Sequence, residues 1–467
     1  MKNGQAWVTL NVSIGVYMST LDASIVNISL PTIVQSLNTH LTAVAWVVMA
    51  YLIMITGCLL ITGRLSDLFG LRRIYLLGYL TFTIGSALCS FSPTIYFLIG
   101  SRMLQGLGAS ALMANGPAIL TTAYPEHERG KALGILGSIV SAGFLTGPIL
   151  GGFLVEHVGW RSIFFINLPI GAMGIYLTSK VLERNEPAGK ARVDLPGALL
   201  LFSFVSFLLL FLNQMAQESA PLLWVWLFLS LLCFSLFIIV EILSPFPLVD
   251  LKLFRRGLFI SSLGASFLSF WMSAAHNFII PFFLQNILEF SPSKVGMLIF
   301  PVALTVMVTA PFGGRFSDRV GVRIPATIGL ALTSLTVFSF TLLKPGVNYL
   351  DILWRQIILG IGISFFNPAN NSAIIGSLPR EKVGLASSFL ALSRNLGMVM
   401  GVAFAEMVVA FRLPVVPLEK AKAGPSLEGI QDVWKLVLII GVIAILVSWT
   451  RENKSNVPDP KSPKGQH

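Results

Sequence analysis

Fourteen long apolar segments, separated by short polar connections, occupy most of this 467-residue chain. Each approaches or exceeds the roughly 20 residues that an α-helix needs to cross the hydrocarbon core of a bilayer. Charged residues make up 11% of the chain, whereas soluble domains carry about 25%. We therefore predict an all-α polytopic membrane protein. Segments 1 to 14 span residues 7–31, 43–63, 74–92, 95–123, 132–158, 162–181, 195–214, 222–243, 258–286, 295–314, 324–343, 350–375, 383–411 and 433–449.

The Lys and Arg residues concentrate in every second connection. If the N terminus lies inside, the inner connections and tails hold 22 of the 32 basic residues, the outer connections hold seven, and three lie within segments. Cytoplasmic loops of membrane proteins carry such an excess. We predict a multi-pass protein of a bacterial-type cytoplasmic (inner) membrane, with both termini cytoplasmic. This placement also accounts for the net charge of +11 without nucleic acid as a partner.

The chain contains an internal repeat. The stretch GRLSDLFGLR that begins at Gly63 returns as GRFSDRVGVR at Gly314, 251 residues later. Segments 1–6 therefore correspond to segments 9–14, and segments 7 and 8 are an insert. We predict an N-terminal six-helix bundle (1–183), two inserted helices with flanking inner loops (184–257), a C-terminal six-helix bundle (258–450) and a disordered cytoplasmic tail (451–467).

Asp22 is the only acid deep inside segment 1, and Arg102 lies at a similar depth in segment 4. Charged groups at such depths are costly and usually functional. Burial favours the neutral form of a carboxyl, whereas a neighbouring guanidinium favours the ionised form, so this pair can couple proton binding to conformation. The alternative is a fixed ion pair that joins the two segments. Glu406, near the outer end of segment 13, is either a second protonatable group or a group that reaches the outer water.

Segment 5 contains a cluster of small residues around one proline. Glycines allow helices to approach closely, and Pro148 bends its helix. We interpret the cluster as a pliable packed hinge, with ordinary tight packing as the alternative. Its residues are Gly143, Gly147, Pro148, Gly151 and Gly152.

The repeated loop stretch places an acid beside Arg and Gly after segments 2 and 10. An acid there can bind a helix N terminus or an Arg, and such contacts can break when the two halves move. We predict a conformational motif formed by Gly63, Asp67, Gly70, Arg72, Asp318 and Arg323.

Other polar side chains inside the segments either line a cargo cavity or form hydrogen bonds between helices. We regard Asn27, Gln105, His276, Asn277, Asn367, Asn371 and Arg394 as candidate cavity-lining residues. The sequence contains no phosphate-binding loop of the Gly-x-x-x-x-Gly-Lys-Ser/Thr type, and no metal-binding set or nucleophile elbow. We predict that the chain is not an enzyme and needs no cofactor.

These motifs together resemble the fourteen-helix drug:H+ antiporter branch of the major facilitator superfamily, over nearly the whole chain. The stretches that carry the resemblance are Leu21–Pro31, Gly63–Arg73, Arg102–Gly108, Gly147–Gly152 and Trp160–Gly171. They are similar, in order, to the branch's segment 1 signature, the superfamily's loop motif, the segment 4 motif, the antiporter motif of exporters and a further stretch of the branch.

The resemblance implies a major facilitator fold with two six-helix bundles plus two inserted helices, and thus 14 transmembrane helices. It implies alternating access driven by inward proton flow, with protons as the coupling ion and a small molecule as the substrate. Asp22 would carry the proton and Arg102 would modulate it, while Asp67 would steady the outward-open state. The segment 5 cluster would limit leakage. We expect a functional monomer in the lipid bilayer.

The function predicted on this basis is multidrug efflux, a drug-resistance activity, by proton-coupled antiport of small amphipathic or lipophilic compounds. The segments carry fewer acids than those of many cationic-drug exporters of the branch, so neutral, amphipathic and anionic cargo also fit. A lipid or metabolite exporter on the same fold is the main alternative, and its cavity would open laterally to lipid and have a basic lining. A non-transporting membrane receptor fits less well, because Asp22, Arg102 and the segment 5 cluster are all present.

Overall fold

The computed structural model describes residues 2–125, 128–182, 195–215, 222–244, 253, 256–378, 383–412 and 426–451. Nearly all of them are helical, which confirms the all-α prediction. The helices are α1 Lys2–Ser36, α2 Leu41–Phe69, α3 Leu71–Ser90, α4 Ile95–Ala123, α5 Arg129–His157, α6 Ser162–Phe165, α7 Asn167–Val181, α8 Leu195–Met215, α9 Leu223–Leu243, α10 Gly257–Phe282, α11 Pro292–Val320, α12 Arg323–Thr341, α13 Tyr349–Gly376, α14 Val383–Arg412 and α15 Leu427–Trp449.

These helices follow the predicted segments, with two local differences. Segment 6 is divided at Ile166 into the short α6 and the longer α7. A π-helical turn, Phe283–Ile287, extends α10 two residues after Pro281, a residue that removes one backbone donor from the helix. Segments 7 and 8 are α8 and α9, and segments 9 to 14 are α10 to α15.

Eleven spans within the described residues are long and apolar enough to cross a membrane. The multi-pass architecture is therefore confirmed. The eleven do not include α1, α3 or α4, whose sequences are richer in polar residues. The number of fourteen transmembrane helices consequently stays a prediction.

The sequence repeat is visible in the backbone. Gly70 between α2 and α3 has φ 91°, and Gly321 between α11 and α12 has φ 85°. Residues with a Cβ rarely adopt these positive φ values, so the repeated loop needs glycine at both positions. Helix packing repeats as well, because α5 lies on α1 as α14 lies on α10.

The two bundles meet along α5 with α11 and along α2 with α14. We use "inner" for the side of the N terminus and "outer" for the opposite side. Near the outer ends, Gln285 Nε2 donates to the carbonyl oxygen of Ile28 at 2.8 Å. The backbone N–H of Ser293 donates to Glu156 Oε2 at 2.9 Å. These hydrogen bonds join the bundles on the outer side, which is closed in this structure.

The inserted helix α8 lies against both bundles, on α2 and on α14, and α9 packs on α8. Phe202 of α8 fills the space above Gly57 of α2. The insert therefore covers one of the two seams between the bundles. The connections of the insert at 183–194, 216–221 and 245–252, and the predicted tail beyond 451, lie outside the described residues. Arg451 itself is buried and donates to Asn370 Oδ1 at 2.6 Å.

Candidate functional site

The carboxylate of Asp22 is completely buried in the N-terminal bundle. Its Oδ2 forms an ion pair with Arg102 Nη1. Its Oδ1 accepts from Gln105 Nε2 at 2.8 Å and from Asn167 Nδ2 at 3.1 Å. Arg102 and Gln105 lie on one face of α4 because they are three residues apart, and Asn167 begins α7. A carboxyl that accepts three hydrogen bonds has the partners of an ionised group.

Arg102 has partners besides Asp22. Its Nε donates to the carbonyl oxygen of Val47 at 3.0 Å, and its Nη1 donates to Gln105 Oε1 at 2.6 Å. Its guanidinium carbon lies 4.0 Å from the centre of the Tyr51 ring and 5.7 Å from that of Phe164. Such stacking stabilises a guanidinium out of water. The cation is thus held by α2, α4 and α6 as well as by the acid.

The sequence predicted the pair but did not assign Asn167 and Tyr51 to it. Tyr51 also donates through its hydroxyl to the carbonyl oxygen of Ser19, at 2.9 Å. Gln105, predicted to line a cavity, is buried and extends the network by donating to Ser86 Oγ at 2.8 Å. The whole network lies within the N-terminal bundle.

The C-terminal bundle has no acid at the equivalent place. The contact that α5 makes with Ser24 of α1 is repeated by α14 with Ala274 of α10. Residues 250 apart (24 and 274) therefore occupy equivalent positions in α1 and α10. By this spacing Met272, which is 1% exposed, stands where the N-terminal bundle has Asp22.

Arg102 is also replaced in the C-terminal bundle. Gly106 of α4 packs on α2 as Gly360 of α13 packs on α11, so the spacing here is 254 (106 and 360). Gln356 takes the place of Arg102 and lies beside His276. Both side chains are buried. The described residues of this bundle accordingly form no ion pair at the level where the N-terminal bundle pairs Asp22 with Arg102.

His276 lies among aromatic side chains. The centre of its ring is 4.9 Å from that of Phe340 and 6.4 Å from that of Trp434. The other candidate lining residues differ in exposure: Asn277 is exposed, Gln105 is buried, and Asn27, Asn367, Asn371 and Arg394 are partly exposed.

Glu406 of α14 is 0% exposed. Neither of its carboxylate oxygens forms a hydrogen bond with another described residue. The nearby polar side chain is Asn213 of α8, whose amide nitrogen is also without a partner in the described chain. An acid and an amide therefore lie near each other where the insert meets the C-terminal bundle.

The small-residue cluster of α5 has two packing faces. One face lies on α1, where Gly147 contacts Ser24 and Gly151 contacts Ile25. The other face lies on α11 of the opposite bundle, where Gly152 contacts Pro292. The remaining members complete these faces, with Gly143 on Thr20 of α1 and Pro148 on Gly296 of α11.

The N-terminal copy of the loop motif ties α3 to its own bundle. Arg64 and Asp67 are 3.5 Å apart, and both side chains are about half exposed (47% and 45%). Arg72 donates to the carbonyl oxygen of Ser179 in α7 at 2.6 Å. A methyl group added at Gly63 would lie 3.9 Å from the Cβ of Ala114, which is an ordinary van der Waals distance.

The C-terminal copy acts in the same way. The guanidinium carbon of Arg323 lies 4.1 Å from the centre of the Trp449 ring in α15. Arg72 and Arg323 thus each join the third segment of their bundle to the sixth. Asp318 forms no salt bridge with another residue of the described part of the chain.

A cavity of about 390 Å³ lies at the inner end of the N-terminal bundle, lined by Gln5, Leu71, Arg72 and Leu182 among others. Gln5 is 17 residues from Asp22 along α1, which corresponds to about 25 Å. The cavity therefore does not include the Asp22 network.

Comparison with known proteins identifies the family. The model of the Major Facilitator Superfamily matches residues 12–402 and 262–466. The riboflavin transporter RibZ of Clostridioides difficile (strain 630) is 36% identical over 403 residues, 86% of this chain and 87% of the relative. The multidrug resistance protein Stp of Mycobacterium tuberculosis (strain CDC 1551 / Oshkosh) is 32% identical over 417 residues, 88% of this chain and 77% of the relative.

A solved structure agrees on the fold. The crystal structure of peptide transporter POT in complex with sulfate superposes with a TM-score of 0.70 at 14% sequence identity, over 94% of each chain. The family match extends over far more than half of this chain, and the predicted superfamily is confirmed. The chain belongs to the major facilitator superfamily and is a multi-pass membrane transporter, not an enzyme.

Proposed function

We propose that the chain is a proton-coupled exporter of small amphipathic compounds, of the fourteen-helix drug:H+ antiporter branch. The observation that carries the proposal is the buried Asp22 carboxylate, paired with Arg102 and surrounded by three donors. Intramembrane acids of this kind mark proton pathways in transporters. Similarity to Stp, a multidrug resistance protein, supports the cargo class.

The proposed cycle begins in the conformation described here, with the outer side closed. Asp22 has the partners of an ionised carboxylate, as it would after releasing its proton to the inner side. When the outer ends of the bundles separate, water reaches the site and a proton neutralises the acid. The neutral form pairs less strongly with Arg102, so proton binding favours a different arrangement of α1 and α4. Return to the outer-closed state carries the proton inward.

The remaining parts of the proposal follow from sequence. The protein acts as a monomer in the cytoplasmic membrane, with both termini inside, and uses protons and no cofactor. The domain limits are those of the repeat, with α8 and α9 as the insert. Asp67 and its neighbours steady the outward-open state, and Asn27 and Asn277 contact cargo.

A second candidate is the export of a metabolite. It is favoured by the similarity to RibZ, which is described as a riboflavin transporter. Both candidates use the same fold and differ in cargo. The polar residues of α1 and α10 fit either one.

Proton movement tests the proposal directly. Purified protein in liposomes that contain a pH-sensitive dye is given a pH gradient and then a panel of cationic, neutral and anionic amphiphiles. We expect at least one compound to release protons through the wild-type protein. If cargo crosses the membrane but no proton accompanies any compound, the protein is a uniporter and the proposed coupling is wrong.

Glu406→Gln tests a second proton site. If Glu406 carries one coupled proton, its loss lowers the cargo gradient about tenfold for each pH unit of gradient, because one pH unit is worth about 1.4 kcal/mol per proton. The measurement is the steady-state accumulation of cargo in inverted vesicles at two pH gradients. Glu428→Gln is the control, since Glu428 is an exposed acid of neighbouring α15 (78% exposed). Equal accumulation by wild type and Glu406→Gln would leave Asp22 as the only proton carrier.

A further inference from the structure

Arg394 of α14 has no acceptor within the described part of the chain. Its Nε is buried without a hydrogen-bond partner, while the side chain as a whole is partly exposed. The preceding residue, Ser393, donates to the carbonyl oxygen of Leu263 in α10 at 2.8 Å. Gly397, one turn further out, packs on Phe267 of α10. The guanidinium of Arg394 therefore projects from α14 next to the surface where α14 packs on α10.

Four other arginines of the bundles have an acceptor, which Arg394 lacks among the described residues. Arg102 pairs with Asp22, and Arg355 lies 3.8 Å from Asp351. At the helix ends, Arg412 lies 2.7 Å from Asp432, and Arg451 donates to Asn370 at 2.6 Å. An intramembrane cation without a partner is costly and is by default functional. A guanidinium also keeps its charge under all physiological conditions, so it cannot avoid this cost by losing a proton.

The acids of the structure do not supply the missing partner. Asp22 is already paired with Arg102 inside the N-terminal bundle. Glu406 is twelve residues from Arg394 on the same helix, which is about 18 Å along the axis. Asp67 pairs with Arg64 at the inner end of α2. The missing partner of Arg394 is therefore not one of these acids. An anion that binds to the protein and dissociates again would supply it.

Aromatic side chains follow Arg394 toward the outer side. The ring centres of Phe267 and Trp271 in α10 are 5.5 Å apart, and those of Trp271 and Phe404 are 4.7 Å apart. The indole nitrogen of Trp271 is a buried donor without a partner among the described residues. A cation one helical turn before this row of rings, together with an unpartnered N–H donor, matches an aromatic molecule with an anionic oxygen.

We propose that Arg394 binds the anionic group of the cargo, and that the cargo is an amphipathic aromatic compound with a carboxylate or phenolate oxygen. This inference rests on the proposed export function and names its cargo class. Arg binds a carboxylate through two parallel hydrogen bonds and a phenolate through a charge-assisted hydrogen bond to its one oxygen. If one proton enters for each monoanion that leaves, two positive charges move inward per cycle. Export is then driven by an inside-negative membrane potential, whereas exchange of a proton for a monovalent cation is electrically neutral.

The test compares two dyes with one ring system and opposite charge, fluorescein and rhodamine 6G. Binding to the purified protein is measured by fluorescence anisotropy, which needs no proton coupling. We expect the wild type to prefer fluorescein, and Arg394→Gln to weaken fluorescein binding at least tenfold with rhodamine 6G binding unchanged. Arg394→Lys, which keeps the charge but loses the paired geometry, should recover part of the affinity.

Arg412→Gln is the matched control, because Arg412 is a half-exposed cation at the outer end of the same helix (52% exposed). Equal fluorescein affinity of wild type and Arg394→Gln, or a wild-type preference for rhodamine 6G, would overturn the assignment. Transport by the same variants in liposomes then separates the two proposals. Fluorescein binding that depends on Arg394 without proton movement supports the anion site and contradicts proton coupling.

Discussion

Asp22→Asn is expected to abolish proton-driven export and to leave the protein folded in the membrane. The amide has the shape of the carboxylate, and its oxygen can still accept from Gln105 and Asn167. It has no charge and takes up no proton at physiological pH. Under a gradient of two pH units, each coupled proton supports about a hundredfold cargo gradient. If Asp22 carries the only coupled proton, the variant should lose this hundredfold accumulation of cargo entirely. Cargo should still move down its own concentration gradient.

Folding of this variant is expected because Arg102 keeps other partners. Leaving one member of a buried ion pair alone costs about 3 to 5 kcal/mol. Here the guanidinium still donates to Val47 and Gln105 and stacks on Tyr51, which reduces this cost. We expect a lower thermal stability but a protein that can be purified.

The measurement is dye-reported proton flux and cargo accumulation in liposomes of equal protein content. The exposed-acid variant Glu428→Gln, on α15, controls for a general effect of removing a carboxylate. Cargo-dependent proton flux through Asp22→Asn at the wild-type rate would show that the pair is the fixed link between α1 and α4. In that case Arg102→Gln should affect stability without changing the ratio of protons to cargo.

The sequence was sufficient to pair Asp22 with Arg102, but not to find their other partners. Counting residues from a segment end gives the depth of a side chain, because each helical residue adds about 1.5 Å. It does not give the direction in which the side chain leaves the helix, which depends on how neighbouring helices pack. Gln105 and Asn167 were therefore seen as parts of motifs and not as donors to one acid.

The position of the insert was also beyond the sequence. The repeat predicted the correspondence of the two bundles, and the structure adds that Gly70 and Gly321 form equivalent turns. The helices α8 and α9 have no counterpart in the repeat, and a helix that is apolar on all sides does not show which face is buried. Only packing reveals that α8 lies on α2 and α14. That position also gives Glu406 its neighbour, Asn213.

Arg451 shows the same limit at the end of the chain. A basic residue after the last apolar segment is typical of a tail, and the sequence placed it there. In the structure it is buried and hydrogen-bonded to α13. Asn370 lies between Asn367 and Asn371 in its segment, and the sequence gave no indication of which side chain this one would contact.

Gly152→Ala is expected to prevent closure of the outer side and to reduce export at least tenfold. A Cβ at this position would collide with the carbonyl oxygen of Pro292 and would lie 3.0 Å from the Cα of Ser293. Both atoms belong to the backbone of α11 in the opposite bundle, so a rotamer change does not relieve the collision. Overpacking of this kind costs about 1 to 3 kcal/mol, which shifts an equilibrium between two conformations roughly 5- to 150-fold.

The shift has a definite direction because the collision exists only where the outer ends of α5 and α11 are together. Gly152→Ala should therefore favour the outward-open conformation. Asn277→Cys, in a background without the three native cysteines, reports this opening through its reaction with a membrane-impermeant maleimide from outside. We expect labelling of the Gly152→Ala protein to be several-fold faster than that of the wild type.

Gly137→Ala is the matched control on the same helix, because an added Cβ there meets no atom within 4 Å. It should leave labelling and export unchanged. Gly147→Ala separates the two faces of the α5 cluster, since its collision is with Ser24 in the same bundle and is present in both conformations. It should lower stability without faster labelling. Wild-type labelling and export in Gly152→Ala would mean that α5 and α11 do not form the outer gate, and that closure depends on the contact of Gln285 with α1.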